Sequence, residues 1–255
     1  MNSFETFSQL HQQSTPFLLG NIWDVNSAKI FEANGYKAIG TSSQAVANAL
    51  GYEDGEQLPF ETLLQLAKRV GRSVRIPFSV DMEGGYSRTV DGIIENIEKL
   101  HDTGAVGINL EDTISPTRQL QSVTEFQKTL STVADHLSRN NLKMFLNIRT
   151  DGFLLGMPTA LAETLTRINN YKNSGADGIF VPCITGKNDI SEVVKATTLP
   201  INVMCMPGLP DFKELGSLGV KRISMGPFLF NKVYDLVGRL SKTILEDKNC
   251  SSILS

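Results

Sequence analysis

Ser79-Val80-Asp81-Met82-Glu83-Gly84-Gly85-Tyr86 and Ile108-Asn109-Leu110-Glu111-Asp112 are the two stretches that decide the reading of this chain. Each is a short apolar run that ends in carboxylates. Residues two apart on an extended strand share a face, so Asp81 and Glu83 project together. Glu111 and Asp112 then arrive from the end of the next predicted strand. Chemistry at the C-terminal ends of strands is the habit of parallel α/β barrels. Oxygen ligands gathered there suit a hard cation such as Mg²⁺.

Outward from these stretches, strand and helix patterns alternate along the whole chain. Strands are predicted at 17–22, 38–40, 76–81, 107–110, 144–149, 178–181, 201–204 and 222–224. Several are apolar without strict alternation, as strands buried on both faces are. Helical patterns fall at 26–33, 59–70, 89–103, 122–138, 158–173, 190–196, 209–215 and 227–245. Eight βα pairs in one run argue for an α/β fold, a (β/α)₈ TIM-type barrel forming one domain over 1–255. A doubly wound sheet keeps the same alternation and is the alternative. Gly35, Gly104, Gly175 and Gly219 recur between helix and strand, where a left-handed cap turns the chain. Residues 12–16 read as a lead-in and 247–255 as a polar, frayed tail.

Bulk properties narrow the function. The 255 residues carry a formal net charge of −3, so no basic field recruits nucleic acid or an acidic membrane. No apolar run approaches the ~20 residues that span a bilayer. The first residues lack a basic start followed by an apolar stretch, so no signal peptide is expected. Cys183, Cys205 and Cys250 match no zinc or CxxC spacing. They read as reduced thiols of a cytoplasmic protein.

Four strand ends carry polar groups that burial alone does not explain. At Gly40-Thr41-Ser42-Ser43, hydroxyls and N–H groups either hold a carboxylate or simply cap the next helix. The second and third are Asp81/Glu83 and Glu111/Asp112, whose mutual repulsion calls for a cation or a proton. Gly84-Gly85 fits a backbone passing close to a ligand. At the fourth, Asn147 and Arg149 share a strand face and point into the barrel mouth. Arg149 is shaped to grip a substrate carboxylate, or to pair with Glu111 or Asp151. Asn202 is a weaker binding candidate, and a buried structural amide is its alternative. The loop 51–55 either carries Asp54 as a gate or is a solvated turn. His11, His101 and His136 fall in the lead-in or on helices, which argues against a histidine base or a zinc site. Ser224-Met225-Gly226-Pro227 sits where some barrels bind phosphate, but is too short a signal to claim it.

These segments, in this order, resemble the isocitrate lyase/phosphoenolpyruvate mutase superfamily. The matching stretches run from Gly20–Ala28 through Gly40–Ser43, Ser79–Tyr86, Asn109–Asp112, Asn147–Asp151 and Gly175–Phe180 to Ile201–Pro207. The resemblance implies an α/β barrel whose eighth helix, about 227–246, is exchanged between subunits of a homodimer or homotetramer. It implies Mg²⁺, with Mn²⁺ as the alternative, held by Asp81, Glu83 and Glu111. Ser42, Ser43 and Arg149 match contacts to a substrate carboxylate, with Asp81 and Asn202 beside them. Asp54 matches an acidic residue on a mobile loop. Glu83 stands where the family more often has aspartate. The lyase loop with its catalytic cysteine is replaced by Thr113-Ile114-Ser115-Pro116-Thr117-Arg118-Gln119-Leu120, and the mutase gate pattern is missing too. The expectation is a Mg²⁺-dependent lyase-type enzyme that cleaves, decarboxylates or hydrolyses a small 2-oxo acid through an enolate. Arg149 and Asp54 are its candidate catalytic residues, and Arg118 could pair with a second anionic group. Phosphoenolpyruvate/phosphonopyruvate mutase or hydrolase chemistry and a non-catalytic oxo-acid binder are the alternatives.

Overall fold

A computed structural model describes residues 2–115 and 117–254. In chain order the elements are α1 (Ser3–Leu10), β1 (Phe17–Ile22), α2 (Val25–Ala33), β2 (Ile39–Thr41), α3 (Ser43–Ala49), α4 (Phe60–Ser73), β3 (Phe78–Asp81), α5 (Val90–His101) and β4 (Gly107–Glu111). Then follow β5 (Thr113–Ile114), β6 (Gln119–Leu120), α6 (Val123–Arg139), β7 (Phe145–Arg149), α7 (Ala160–Tyr171), β8 (Gly178–Val181), α8 (Lys187–Lys195) and β9 (Ile201–Met204). The chain ends with α9 (Phe212–Leu218), β10 (Arg222–Ser224), α10 (Phe228–Asp247) and a 3₁₀ turn at Ser251–Ile253.

Eight parallel strands close into a barrel in the order β1-β10-β9-β8-β7-β4-β3-β2. The doubly wound alternative is thereby excluded. The remaining pair, β5 and β6, forms a small antiparallel hairpin above the strand ends. Pro116, between them in sequence, lies outside the described residues.

The outer core joins barrel to helices. Ile22, Val80, Ile108, Ile148, Ile179, Val203 and Ile223 are enclosed among apolar residues of the surrounding helices. This is why those strands read as continuous apolar runs. Gly219 ends α9 at φ +95°, a left-handed position that a side chain would strain.

Several elements differ from expectation. The start of the chain, where no element was expected, is a helix, and residues 12–16 connect it to β1. Asn2 caps α1 reciprocally with Glu5, and Phe7 and Leu10 plug the bottom of the barrel against Phe17, Val106 and Phe145. His11 ends this helix, is 4% exposed and stacks on Phe145 at 4.1 Å. Helix α3 is too short to show periodicity. Gly84-Gly85 serves packing: a Cβ on Gly85 would meet Ile93 of α5 at 2.7 Å. Helix α10 touches the body mainly at its base, where Phe230 packs edge-on to Trp23 at 5.4 Å. Phe230 is its one buried residue, while Val233, Tyr234, Leu236 and Val237 stay exposed. Among the described residues no helix is long and apolar enough to cross a membrane.

Candidate active site

The C-terminal mouth of the barrel encloses a cleft of about 280 Å³. Its walls include Ser42, Ser43, Asp54, Asp81, Glu83, Glu111 and Arg149, the site residues expected from sequence, together with Asn109, Asp151 and Arg118. Asn202 is the exception. It is 1% exposed and lies beneath the floor, where Ser224 Oγ donates to its Oδ1 at 3.4 Å.

Arg149 is the centre of charge. Its Nε and Nη2 donate to the two oxygens of Asp151 at 2.7 and 2.9 Å. Its Nη1 forms an ion pair with Glu111 Oε2 at 2.9 Å. Asp151 is itself fixed by Thr113 Oγ1 at 2.8 Å. Burial pulls the Arg149 pKa down, but Glu111, Asp151 and Asp81 outweigh it and raise it above the usual arginine range. Three of its five N–H groups are thus engaged, which leaves two for a ligand.

The carboxylates have separate environments. Asp81 is 8% exposed, and its Oδ1 is buried without a hydrogen-bond partner. Burial raises its pKa, Arg149 counteracts, and the Asp54 charge adds to the rise. Glu111 is likewise raised by burial against the pull of Arg149, and its Oε2 receives no aligned hydrogen bond. Glu83 departs from expectation. Its Oε2 accepts from Glu56 N at 2.8 Å and its Oε1 from Tyr86 OH at 3.0 Å, so both oxygens are engaged. Burial, Asp54 and Asp81 push its pKa up to about 8. Asp112 also departs: it faces away from the cleft, toward α7. There its Oδ2 accepts from Arg167 Nη1 at 2.8 Å and Tyr171 OH at 2.9 Å. Neighbouring residues on a strand face opposite ways, so Glu111 inward requires Asp112 outward.

Does this donor set suit a divalent cation? Among the described residues no three Asp, Glu, His or Cys side chains converge as an all-protein cage would. Arg149 neutralises Glu111, and Glu83 is turned aside to Glu56 and Tyr86. Mg²⁺, however, keeps most of its water and uses one or two carboxylates. Asp81 Oδ1 is a hard, buried oxygen without a donor, Glu111 adds a buried carboxylate shared with Arg149, and the cleft carries no His or Cys among its described lining residues. The residues fit a hydrated hard cation better than a soft one.

The mouth is bridged by two segments. Asp54 and Arg118 face each other at 3.9 Å, and the Ser115 hydroxyl donates to the Gly55 carbonyl. Arg88 joins both sides, through Glu56 at 2.7 Å and the Ser115 carbonyl at 2.9 Å. Ser42 is the N-cap of α3, accepting from Ala45 N at 3.4 Å, so its capping role is present while it also borders the cleft. The turn after β10 offers no free phosphate cradle. Asn21 Oδ1 already accepts from the N–H groups of Met225 and Gly226, at 2.6 and 3.2 Å.

Sequence reasoning passed over Asn21 and Asn109. Period-two counting from Glu111 would have found Asn109, whereas Asn21 has only Leu19 and Trp23 at that spacing and carries no such signal.

Residues 7–245 match the family described as phosphoenolpyruvate phosphomutase, and the chain belongs to that family. An uncharacterised protein of Mycobacterium tuberculosis is 33% identical over 221 residues, covering 87% of this chain and 81% of that protein. An oxaloacetate decarboxylase of Bradyrhizobium sp. is 28% identical over 214 residues, covering 80% of this chain and 70% of that enzyme. A crystal structure from Burkholderia cenocepacia J2315, provisionally described as a phosphonomutase, superposes with a TM-score of 0.90. It is 34% identical and covers 94% of this chain and 99% of that one.

Proposed function

We propose that this member of the phosphoenolpyruvate phosphomutase family is a Mg²⁺-dependent lyase that cleaves a carbon–carbon bond in a small 2-oxo acid, with decarboxylation as the favoured reaction. The observation that carries the reading is the composition of one cleft. Arg149, its ion-pair partner Glu111 and the unpartnered Oδ1 of Asp81 share it, and no His, Lys or Cys is among its described lining residues. Decarboxylation suits such a site. The electrons of the breaking bond need a sink, and no general base is required to start it. Held beside Asp81 and Glu111, a divalent cation would supply that sink as a Lewis acid. The chain's own groups do the rest. Arg149, locked by Asp151, presents its remaining N–H groups to the substrate carboxylate, converting binding into orientation. Ser43 lies beside Asp81 and offers a hydroxyl to the same carboxylate. Asp54, at the mouth, handles the proton that replaces the lost carboxyl group. The hairpin with Arg118 and the loop with Asp54 exclude water. The relative named oxaloacetate decarboxylase supports a 2-oxo diacid as substrate.

The test is turnover of oxaloacetate with Mg²⁺, read as pyruvate formed above the metal-only background. Wild type should turn over, and Asp81→Ala or a chelator should abolish it. No turnover by wild type would contradict the reading. The neighbour described as a phosphonomutase favours a second reading, P–C bond chemistry, which release of phosphate from phosphonopyruvate would reveal. Binding without turnover of any candidate would favour an oxo-acid binder.

We further propose a homodimer or homotetramer. The apolar residues Val233, Tyr234, Leu236 and Val237 on α10 are left exposed by a single chain. A second copy of the chain would cover them.

A further inference from the structure

One buried cation takes no part in this mechanism. Arg222, on β10, is 1% exposed and heads the enclosed side chains by volume. It projects into the barrel lumen beneath the cleft, beside Asn202 on β9 and Phe17 on β1 in the strand register. Its guanidinium lies over the ring of Phe7, 5.9 Å from the centroid. Its Nη2 donates to Asn109 Oδ1 at 3.4 Å. Nε and Nη1 find no acceptor among the described residues, and neither does Asn202 Nδ2. Branched apolar side chains are the usual filling of such a lumen. A guanidinium enclosed with so few partners is costly where a hydrophobic residue would serve packing as well. Burial pulls its pKa down to about 9, with Asp81 pulling it back, so it stays charged at neutral pH.

Asn109 connects this cation to the cleft. Its Oδ1 also accepts from Asn147 Nδ2 at 2.8 Å. Two donors, Asn147 from the neighbouring strand and Arg222 from the lumen, therefore fix the oxygen of the Asn109 amide. The amide nitrogen is left for the cleft that Asn109 lines. Donors aimed into a water-poor site where negative charge gathers are effective because they need no rearrangement.

We infer that Arg222 is a positioning residue: it orients Asn109 as a hydrogen-bond donor to an anionic substrate, and its charge biases the carboxylate site above toward anions over cations. The inference rests on the proposed oxo-acid site. Phe7 and Asn147 complete the arrangement from α1 and β7.

The test compares wild type with Arg222→Met, Arg222→Lys and Asn109→Ala, using Mg²⁺ and oxalate as calorimetric probes and crystal structures of the variants. Arg222→Met should weaken oxalate about tenfold, the value of one hydrogen bond to a charged group. It should tighten Mg²⁺ several-fold. Arg222→Lys should restore Mg²⁺ affinity, since charge is kept, but not oxalate affinity, since the fork is lost. Asn109→Ala should match the oxalate loss. A merely structural arginine would weaken both probes together or leave both unchanged, and either result overturns the inference. If wild type binds neither probe, the oxo-acid reading fails, and the amide decides: Asn109 unmoved in Arg222→Met overturns the inference, Asn109 rotated supports it. Arg222→Gln takes the same arms should the methionine variant not fold.

Discussion

Replacing Arg167 by methionine strands a carboxylate in the protein interior. Asp112 is fully enclosed, and its Oδ2 is satisfied by Arg167 Nη1 and Tyr171 OH, while its Oδ1 has no partner. Arg167 is 4% exposed at its side chain, and its other N–H groups hold Glu163 and the Gln121 carbonyl. Burial already pushes the Asp112 pKa up to about 6 despite the guanidinium beside it. Without that guanidinium the carboxyl group must be buried charged and unpaired or take up a proton. Breaking a buried pair in this way costs about 3–5 kcal/mol. For a domain of this size the loss corresponds to a fall of about 10 °C in Tm. Adding Asp112→Asn removes the stranded charge, and the Tyr171 hydroxyl can still donate to the amide oxygen. The double variant should therefore recover roughly half the loss, a coupling of about 2 kcal/mol. Urea unfolding measures all three proteins, with the midpoint as the readout at unchanged slope. Oxalate affinity under native conditions should not change, because Asp112 faces away from the cleft. An Arg167→Met variant with the wild-type midpoint, or a double variant showing simple additivity, would refute the reasoning.

Three further outcomes follow from the structure. Burial, aided by the Arg222 charge, lowers His11 from 6.5 to about 3, so the unfolded chain binds its proton first and stability falls as pH drops through that window. Between pH 7 and 5 the loss is about 2 kcal/mol; His11→Phe should flatten this part of the pH–stability curve, and an unchanged slope would count against it. Arg149→Lys keeps the charge but cannot span both oxygens of Asp151, so kcat/KM for the 2-oxo acid should fall about 100-fold, and activity within threefold of wild type would remove Arg149 from the site. Val233→Glu with Val237→Glu should shift the solution mass toward that of one chain in sedimentation, whereas a monomeric wild type would dismiss the assembly.

Much of the barrel was legible because its strands are enclosed on both faces. β1, β8, β9 and β10 have the bounds read from sequence, β3, β4 and β7 differ by one or two residues at one end, and β2 is shifted by one residue. Apolar runs between glycine caps mark such strands without reference to any contact. The short elements were not legible. α3 spans 7 residues and β5 and β6 span 2 each, too few for a period to emerge. α1 was overlooked although Asn2 and Glu5 form a capping box, since its apolar face, Phe7 and Leu10, covers the barrel floor and not a strand of its own. In the site, the strand ends were read as bringing Asp81, Glu111 and Arg149 to one mouth, and all three line the cleft, while Glu83, paired with Asp81 by alternation, lies beyond the end of β3. Strand alternation also separates Glu111 from Asp112, which were read together as clustered carboxylates. The engagement of Glu83 by Tyr86 and Glu56 could not be read. It depends on left-handed backbone at all three residues, with φ between 50° and 59°. Arg222 went unremarked because a single arginine at a strand start carries no pattern.

Asp81, Glu111 and Arg149 are proposed to form a cation-dependent site for the enolate of a 2-oxo acid. Calorimetric titration of oxalate, a planar mimic of that enolate, tests it most directly when run with and without Mg²⁺ on wild type and Asp81→Ala. Wild type should bind oxalate only with Mg²⁺, and Asp81→Ala should not bind it. Oxalate binding that is absent under both conditions, or equal with and without Mg²⁺, would contradict the proposal.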